Sequence, residues 1–189
     1  MRTYLEKVQQ GFSLSELEMR EVAEQLMSAE ASKDDIAQFI EALSFKGETI
    51  EEITGLVSVL KGKAIQVPLP FGDVFDNCGT GGDGANTFNI STTASFVLVG
   101  AGLKVAKHGN RRISSTTGSA DVLEELEIAL DFRPDEITEM LEQTNIAFLF
   151  APFMHPSMKR IQEVRRSLGK PSIFNLIGPL TNPVKLTSQ

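Results

Sequence analysis

Asp76-Asn77-Cys78-Gly79-Thr80-Gly81-Gly82-Asp83-Gly84-Ala85-Asn86-Thr87-Phe88-Asn89-Ile90-Ser91-Thr92 sets closely spaced glycines and small hydroxyl or amide side chains between two apolar segments. Glycine tolerates positive φ and lets backbone amides approach a ligand closely. The run from Ser91 to Gly100 reads as a helix whose first N–H groups point back at the loop, an arrangement suited to an anion and above all to phosphate. A strand, a glycine loop and a helix in that order open an α/β unit.

The residues on either side extend this pattern. A short strand is expected near Asp73 to Asn77, a second at Leu103 to Lys107, a helix from Ser119 to Leu126 and another from Pro134, a residue suited to a first helical turn. Ile146-Ala147-Phe148-Leu149-Phe150 reads as a buried strand, so the sheet is expected to be mainly parallel. Beyond His155-Pro156 a helix runs to Leu168 with Gly169 as its stop, and residues 175–183 read as loop.

Upstream, residues 1 to 62 carry helical periodicity throughout. Ser15 with Glu18, Ser32 with Asp35 and Thr49 with Glu52 place a hydroxyl three residues before a carboxylate, the signature of a capped helix start. Ile36, Phe39, Ile40 and Leu43 form one apolar stripe that ends at Gly47. The charged face containing Glu16, Glu18, Arg20 and Glu21 is expected to be solvated. Pro68, Pro70 and Gly72 break the pattern and mark a boundary. The expected fold class is therefore α/β, with a small all-helical subdomain over 1–70 and a parallel-sheet domain over 71–155. Residues 156–189 are expected to return to the helices.

With 189 residues, 41% hydrophobic and 23% charged, the chain is long enough to bury a core. A net charge of −7 disfavours general binding to nucleic acid or an anionic membrane. Cys78 has no partner for a disulfide, no export signal opens the chain, and no apolar run approaches a membrane span, so a cytoplasmic location is expected.

Gly79-Thr80-Gly81-Gly82-Asp83-Gly84 satisfies the dinucleotide pattern G-x-G-x-x-G, but the helix does not open at the third glycine and no Asp or Glu occurs from Gly84 to Ala120. An NADP site using Arg111 or Arg112 is the surviving form of that reading. A P-loop is excluded because Ala85-Asn86 stands where Lys and Ser or Thr must follow. The same acid-free window holds Lys104, Lys107, His108, Arg111 and Arg112, which together with a helix N-terminus would make a local positive field. Lys107-His108-Gly109-Asn110-Arg111 is expected to turn at Gly109, with His108 binding rather than transferring protons. Ser114-Ser115-Thr116-Thr117-Gly118-Ser119 offers further small donors before a helix.

In order and spacing, Gly79-Thr80-Gly81-Gly82-Asp83, Asn89-Ile90-Ser91-Thr92 and Lys107-His108-Gly109-Asn110-Arg111 resemble anthranilate phosphoribosyltransferase. So do Gly118-Ser119-Ala120-Asp121 and Phe174-Asn175-Leu176-Ile177-Gly178-Pro179-Leu180-Thr181-Asn182-Pro183. The resemblance implies transfer of a phosphoribosyl group from phosphoribosyl diphosphate to anthranilate in tryptophan biosynthesis, with Mg²⁺ bound and a homodimer formed through the helices. It implies that Gly79, Gly82, Asp83, Thr87, Asn89, Ile90, Ser91 and Thr92 hold phosphoribosyl diphosphate, with Ser91 also reaching Mg²⁺. Lys107, His108, Gly109, Asn110, Arg111, Arg112, Ile113, Ser114, Ser115 and Ser119 would close round the same ligand. Anthranilate would lie near Gly79 and Asn110, with its carboxylate on Arg165, although the sequence alone reads Lys159, Arg160, Arg165, Arg166 and Lys170 as a solvated helix face.

Two departures stand out: Arg112 where the family commonly has Ser, and Pro171-Ser172 where it often has Arg-Thr. Family members also continue past residue 189, completing the sheet and supplying an Asp-Glu pair for Mg²⁺. The expectation is thus a sheet incomplete at its C-terminus and poor turnover by these residues alone. A non-catalytic phosphoribosyl-binding module and a relative of pyrimidine nucleoside phosphorylase remain as alternatives; titration with phosphoribosyl diphosphate and phosphorolysis of thymidine separate them.

Overall fold

The computed structural model describes residues 1–80, 88–112 and 117–189. The chain divides into two compact units, Met1–Ala64 with His155–Thr181, and Ile65–Met154 with Asn182–Gln189. The expected boundaries at 70 and 155 thus differ at two places: the second unit opens at Ile65, and it takes back the segment from Asn182.

The first unit is a helical bundle of α1 (Arg2–Gln9), α2 (Glu16–Leu26), α3 (Lys33–Lys46) and α4 (Ile50–Lys63), joined by the later α9 (Lys159–Leu168) and the short α10 (Ile173–Leu176). Ser15 and Thr49 both form the reciprocal cap, their oxygens accepting from the amides of Glu18 and Glu52 while those carboxylates accept from Ser15 and Thr49 N–H. Ser32 accepts from Asp35 N at 3.0 Å, and the α3 stripe of Ile36, Phe39, Ile40 and Leu43 is buried as expected. Ile161 and Val164 of α9 join the same core. The α2 charges are less idle than expected: Lys7 pairs with Glu18 at 2.7 Å, and Tyr4 donates to Glu21.

The C-terminal tail of this unit corrects the sequence reading. Asn175 and Leu176, expected as loop, complete α10, and Pro179–Thr181, also expected as loop, form a 3₁₀ turn. Ser172 N donates to Asn175 Oδ1 at 3.1 Å, and Ile173, Phe174 and Ile177 sit in the core. Their spacing is helical, but the Gly-Pro and Asn-Pro pairs that follow dominate the local signal.

In the second unit, β1 (Val74–Phe75), β2 (Lys104–Gly109) and β3 (Ile146–Phe150) form a parallel sheet in the order β1-β2-β3. The helix α5 (Ile90–Gly100) connects β1 to β2, and α6 (Ser119–Glu125) with α7 (Pro134–Thr144) connects β2 to β3. The turn α8 (Ala151–Met154) follows β3, and a 3₁₀ turn at Pro156–Met158 opens the return to the bundle. Val74, Ala106, Leu149, Ile137 and Leu141 are buried in this unit's main core. On the free side of β1, Ser188 makes a parallel bridge to Phe75.

Strand β2 runs two residues further than expected. His108 pairs with Leu149 and Gly109 with Phe150, so Gly109 is sheet and not turn. Its lack of a side chain serves space: a Cβ there would collide with Ser119 Oγ and lie 2.7 Å from the Phe148 ring. Glycine marks either an unusual φ or a close approach, and position 109 is the second case.

Candidate phosphate-binding site

Parallel strands carry ligands at their carboxyl ends, and there β1 ends and the glycine stretch begins. Gly79 and Thr80 are exposed; Gly82, Asp83 and Thr87 lie outside the described residues. Past them Asn89 caps α5, its Oδ1 accepting from Thr92 N at 3.0 Å and from Ser91 Oγ at 3.3 Å. An eleven-residue helix capped in this way directs its free amides and the positive end of its dipole at the loop.

Lys107 supplies the charge. It is buried, and its Nζ donates to Asn77 Oδ1 and Ser91 Oγ, both at 3.2 Å. Asn77 ties the group together by donating to Ser91 O at 2.7 Å and accepting from Ser95 Oγ at 2.9 Å. Burial pulls the Lys107 ammonium below the ordinary lysine value, and the neighbouring Cys78 and Asp76 act against that pull. Among the described residues no carboxylate forms an ion pair with Lys107, whose two contacts here are neutral oxygens. Among the described residues, Thr92 Oγ1 is buried without a hydrogen-bond partner. This corner therefore holds a cation and a hydroxyl with bonding capacity to spare.

The rest of the basic window is distributed differently from the expectation. Lys104 closes the end of α7, donating to Leu141 O at 3.0 Å and Asn145 Oδ1 at 2.7 Å. Arg111 stacks over Phe150 at 4.7 Å and bonds Glu124. Arg112 is exposed, with its N–H on Asp121 Oδ2 at 2.9 Å. His108 is buried in the sheet, where its N–H donates to Asp76. Ala120 N donates to Asn110 O at 3.2 Å, and a Cβ on Gly118 would lie 2.6 Å from that oxygen, so the chain after β2 runs tight against the start of α6. Ser119 is half-buried there and Ile90 is exposed at the start of α5, whereas Ile113, Ser114 and Ser115 lie outside the described residues.

Arg165 belongs to the helical unit and is buried on α9, contrary to the solvated face read from sequence. Its guanidinium stacks over Phe174 at 5.4 Å and donates to Asn175 Oδ1 at 3.3 Å. Among the described residues no carboxylate pairs with it. Burial pulls its pKa down to about 10. Arg165 is thus a buried cation able to accept an anionic partner.

Sequence reasoning assigned no role to Asp76, Asn77, Ser95 or Asn182. Asp76 could have been flagged as an acid at a strand end just before a phosphate-type loop; the others carry no local signal. One test concerns Cys78, whose thiol is pushed up to about 11 by burial and then by the Asp76 charge. Iodoacetamide at pH 8 is expected to alkylate it about a hundredfold more slowly in the folded chain than in guanidinium. Equal rates would contradict the described environment.

Residues 72–189 match the model of the glycosyl transferase family, a/b domain, and residues 2–64 match that of the glycosyl transferase family, helical bundle domain. The chain belongs to the glycosyl transferase family. Among its relatives in this family, the anthranilate phosphoribosyltransferase of Listeria innocua is 54% identical over 189 residues, covering 100% of this chain and 56% of that protein. That of Bacillus mycoides is 55% identical, with 100% and 55% covered. The crystal structure of the Thermus thermophilus enzyme superposes with a TM-score of 0.86 at 39% identity, covering 97% of this chain and 57% of that one. The Saccharomyces cerevisiae enzyme in complex with PRPP and Mg gives 0.85 at 29% identity, with 96% and 55% covered. The chain thus spans about half the length of the curated relatives it matches.

Proposed function

We propose that this chain is the phosphoribosyl diphosphate-binding part of an anthranilate phosphoribosyltransferase, acting in tryptophan biosynthesis. The observation that carries the reading is Lys107, a buried cation held on neutral oxygens beside Ser91 at the N-terminus of α5. In the reaction the bond from ribose C1′ to a diphosphate oxygen breaks and the anthranilate nitrogen lone pair forms a new bond to C1′. The nitrogen then loses a proton, and diphosphate leaves with the electron pair of the broken bond. Charge grows on the leaving oxygens, so a fixed ammonium and fixed helix amides stabilise the transition state more than the ground state. In this reading Gly79, Asn89, Ile90, Ser91, Thr92, Lys107 to Arg112 and Ser119 surround that ligand, together with the undescribed Gly82, Asp83, Thr87, Ile113, Ser114 and Ser115.

Magnesium fits this donor set as an ion shared with the substrate. No group of three or more His, Cys, Asp or Glu side chains among the described residues could hold a metal ion, and Ser91 Oγ already accepts from Lys107. Mg²⁺ commonly combines few protein ligands with substrate phosphates and water, so Ser91 would give it a single oxygen. When bound it would neutralise charge on the diphosphate.

Arg165 is the proposed partner of the anthranilate carboxylate. Arg165→Ala is expected to weaken anthranilate binding about tenfold or more, the cost of losing a charged hydrogen-bond partner, with little change for phosphoribosyl diphosphate. Titration calorimetry with each ligand checks this, and equal losses for both count against it. The same reading includes a cytoplasmic homodimer formed through the helical unit, where Phe45 and Ile50 are exposed. Among the described residues no helix is long and apolar enough to cross a membrane.

Binding without turnover is the second reading, favoured by the lack of an acidic metal cluster among the described residues. Calorimetry with phosphoribosyl diphosphate and Mg²⁺, run beside a diphosphate-release assay with anthranilate, decides between them. Both readings require phosphoribosyl diphosphate to bind, and its failure to bind the folded chain overturns both.

A further inference from the structure

Three segments of the site converge on Asp76, which is fully buried. Its Oδ1 accepts from Cys78 N at 2.9 Å, where the glycine loop begins, and from His108 N at 3.3 Å on β2. Its Oδ2 accepts from Asn182 Nδ2 at 2.9 Å. The same Asn182 amide donates to Ala106 O at 2.9 Å and accepts from Val184 N at 2.9 Å, so every polar atom of this side chain is used. Asn182 is where the chain re-enters the second unit.

The pattern is chemically specific. Asp76 meets donors on both oxygens, so an isosteric Asn would turn an N–H toward a donor on one side or the other. A buried carboxylate is also costly unless its lone pairs are filled and a positive charge lies near. Lys107 is close enough to provide that charge without touching the carboxylate, since its Nζ is bonded to Asn77 and Ser91 instead. Asp76 thus grips the backbone next to Lys107 on one strand and the backbone that starts the loop on the other.

We propose that Asp76 and Asn182 are a positioning pair for the anion site. Together they set the distance between the backbone at Cys78, where the loop begins, and the Lys107 ammonium. The inference rests on reading the site as one for phosphoribosyl diphosphate, and neither residue touches that ligand.

The test uses the full chain with Mg²⁺, phosphoribosyl diphosphate and inorganic diphosphate as titrants, and the variants Asp76→Asn and Asn182→Ala. Each is measured where its near-ultraviolet circular dichroism matches that of the parent chain. Asp76→Asn is expected to weaken both titrants about tenfold or more, and Asn182→Ala by a smaller factor. A role confined to holding the fold would lower the melting temperature and leave affinity below the melt unchanged.

Parent-like affinity in Asp76→Asn overturns the proposal. If Asp76→Asn does not fold, parent-like affinity in Asn182→Ala overturns it. Absence of binding by the folded parent chain overturns the phosphoribosyl reading and this inference with it, whereas parent binding with unchanged variants overturns the inference alone.

Discussion

Replacing Lys107 by Met is expected to weaken phosphoribosyl diphosphate binding by about a hundredfold, within the range for deleting a buried, hydrogen-bonded charge from an interaction. The far-ultraviolet circular dichroism is expected to stay unchanged. Met keeps the length and apolar stem of Lys but has no charge to desolvate. Because Lys107 meets neutral oxygens of Asn77 and Ser91 and no carboxylate among the described residues, removing it strands no ion-pair partner in direct contact among them. Two opposing effects decide the stability. Relief of the buried ammonium favours the variant, whereas Asp76, whose carboxyl burial already pushes above the ordinary value, loses the favourable field of Lys107. They act in opposite directions on the fold, while the anion loses its charged donor with no compensation. Calorimetry alongside thermal melting separates the outcomes: an affinity within about threefold of the parent chain, far short of the loss expected for a buried charge, would remove Lys107 from the site.

Features settled by neighbours in sequence were legible, and features settled by distant ones were not. The caps at Ser15 and Thr49 are closed by side chains three residues away, and the strand Ile146–Phe150 is an apolar run bounded by Asn145, which ends α7 in the left-handed conformation. Lys107 and Ser91 were each singled out, from the basic window and the helix start. Their meeting through Asn77 was not, because an Asn has no periodicity and no charge to betray its partners. Asn182 lies 106 residues from Asp76 and stands in a Thr-Asn-Pro run that reads locally as turn. Arg165 shows a third kind of failure. Its helix carries basic residues on both sides of the polar boundary, and packing alone buries Arg165 while Arg166 stays exposed. The pairing of Arg111 with Glu124 was not legible either, because Glu124 lies just outside the acid-free window.

The largest stability loss is expected from Glu52→Ala, about 3–5 kcal/mol, the usual cost of stripping one partner from a buried ion pair. Glu52 is fully buried and accepts from three donors: Leu14 N at 2.9 Å, Thr49 N at 2.8 Å and Lys46 Nζ at 2.9 Å. These belong to the loop before α2, the cap of α4 and the last turn of α3, so one carboxylate joins three otherwise separate chain segments. Lys46 has other bonds, to Gly47 O at 2.6 Å and Ser13 Oγ at 3.4 Å, but no other ion pair among the described residues. Alanine would leave two backbone N–H groups and an ammonium turned toward a cavity. Glutamine would keep the volume and one acceptor, so a smaller loss is expected from Glu52→Gln. For a chain of this size the alanine variant should melt roughly 10 °C lower. Arg2→Ala provides the internal comparison, because its pair with Glu6 is open to solvent, at 92% and 57% side-chain exposure, and exposed pairs of this kind contribute little. Should Glu52→Ala melt no lower than Arg2→Ala, the carboxylate does not join those segments, and the helical unit owes its cohesion to the apolar stripes of α2, α3 and α4 alone.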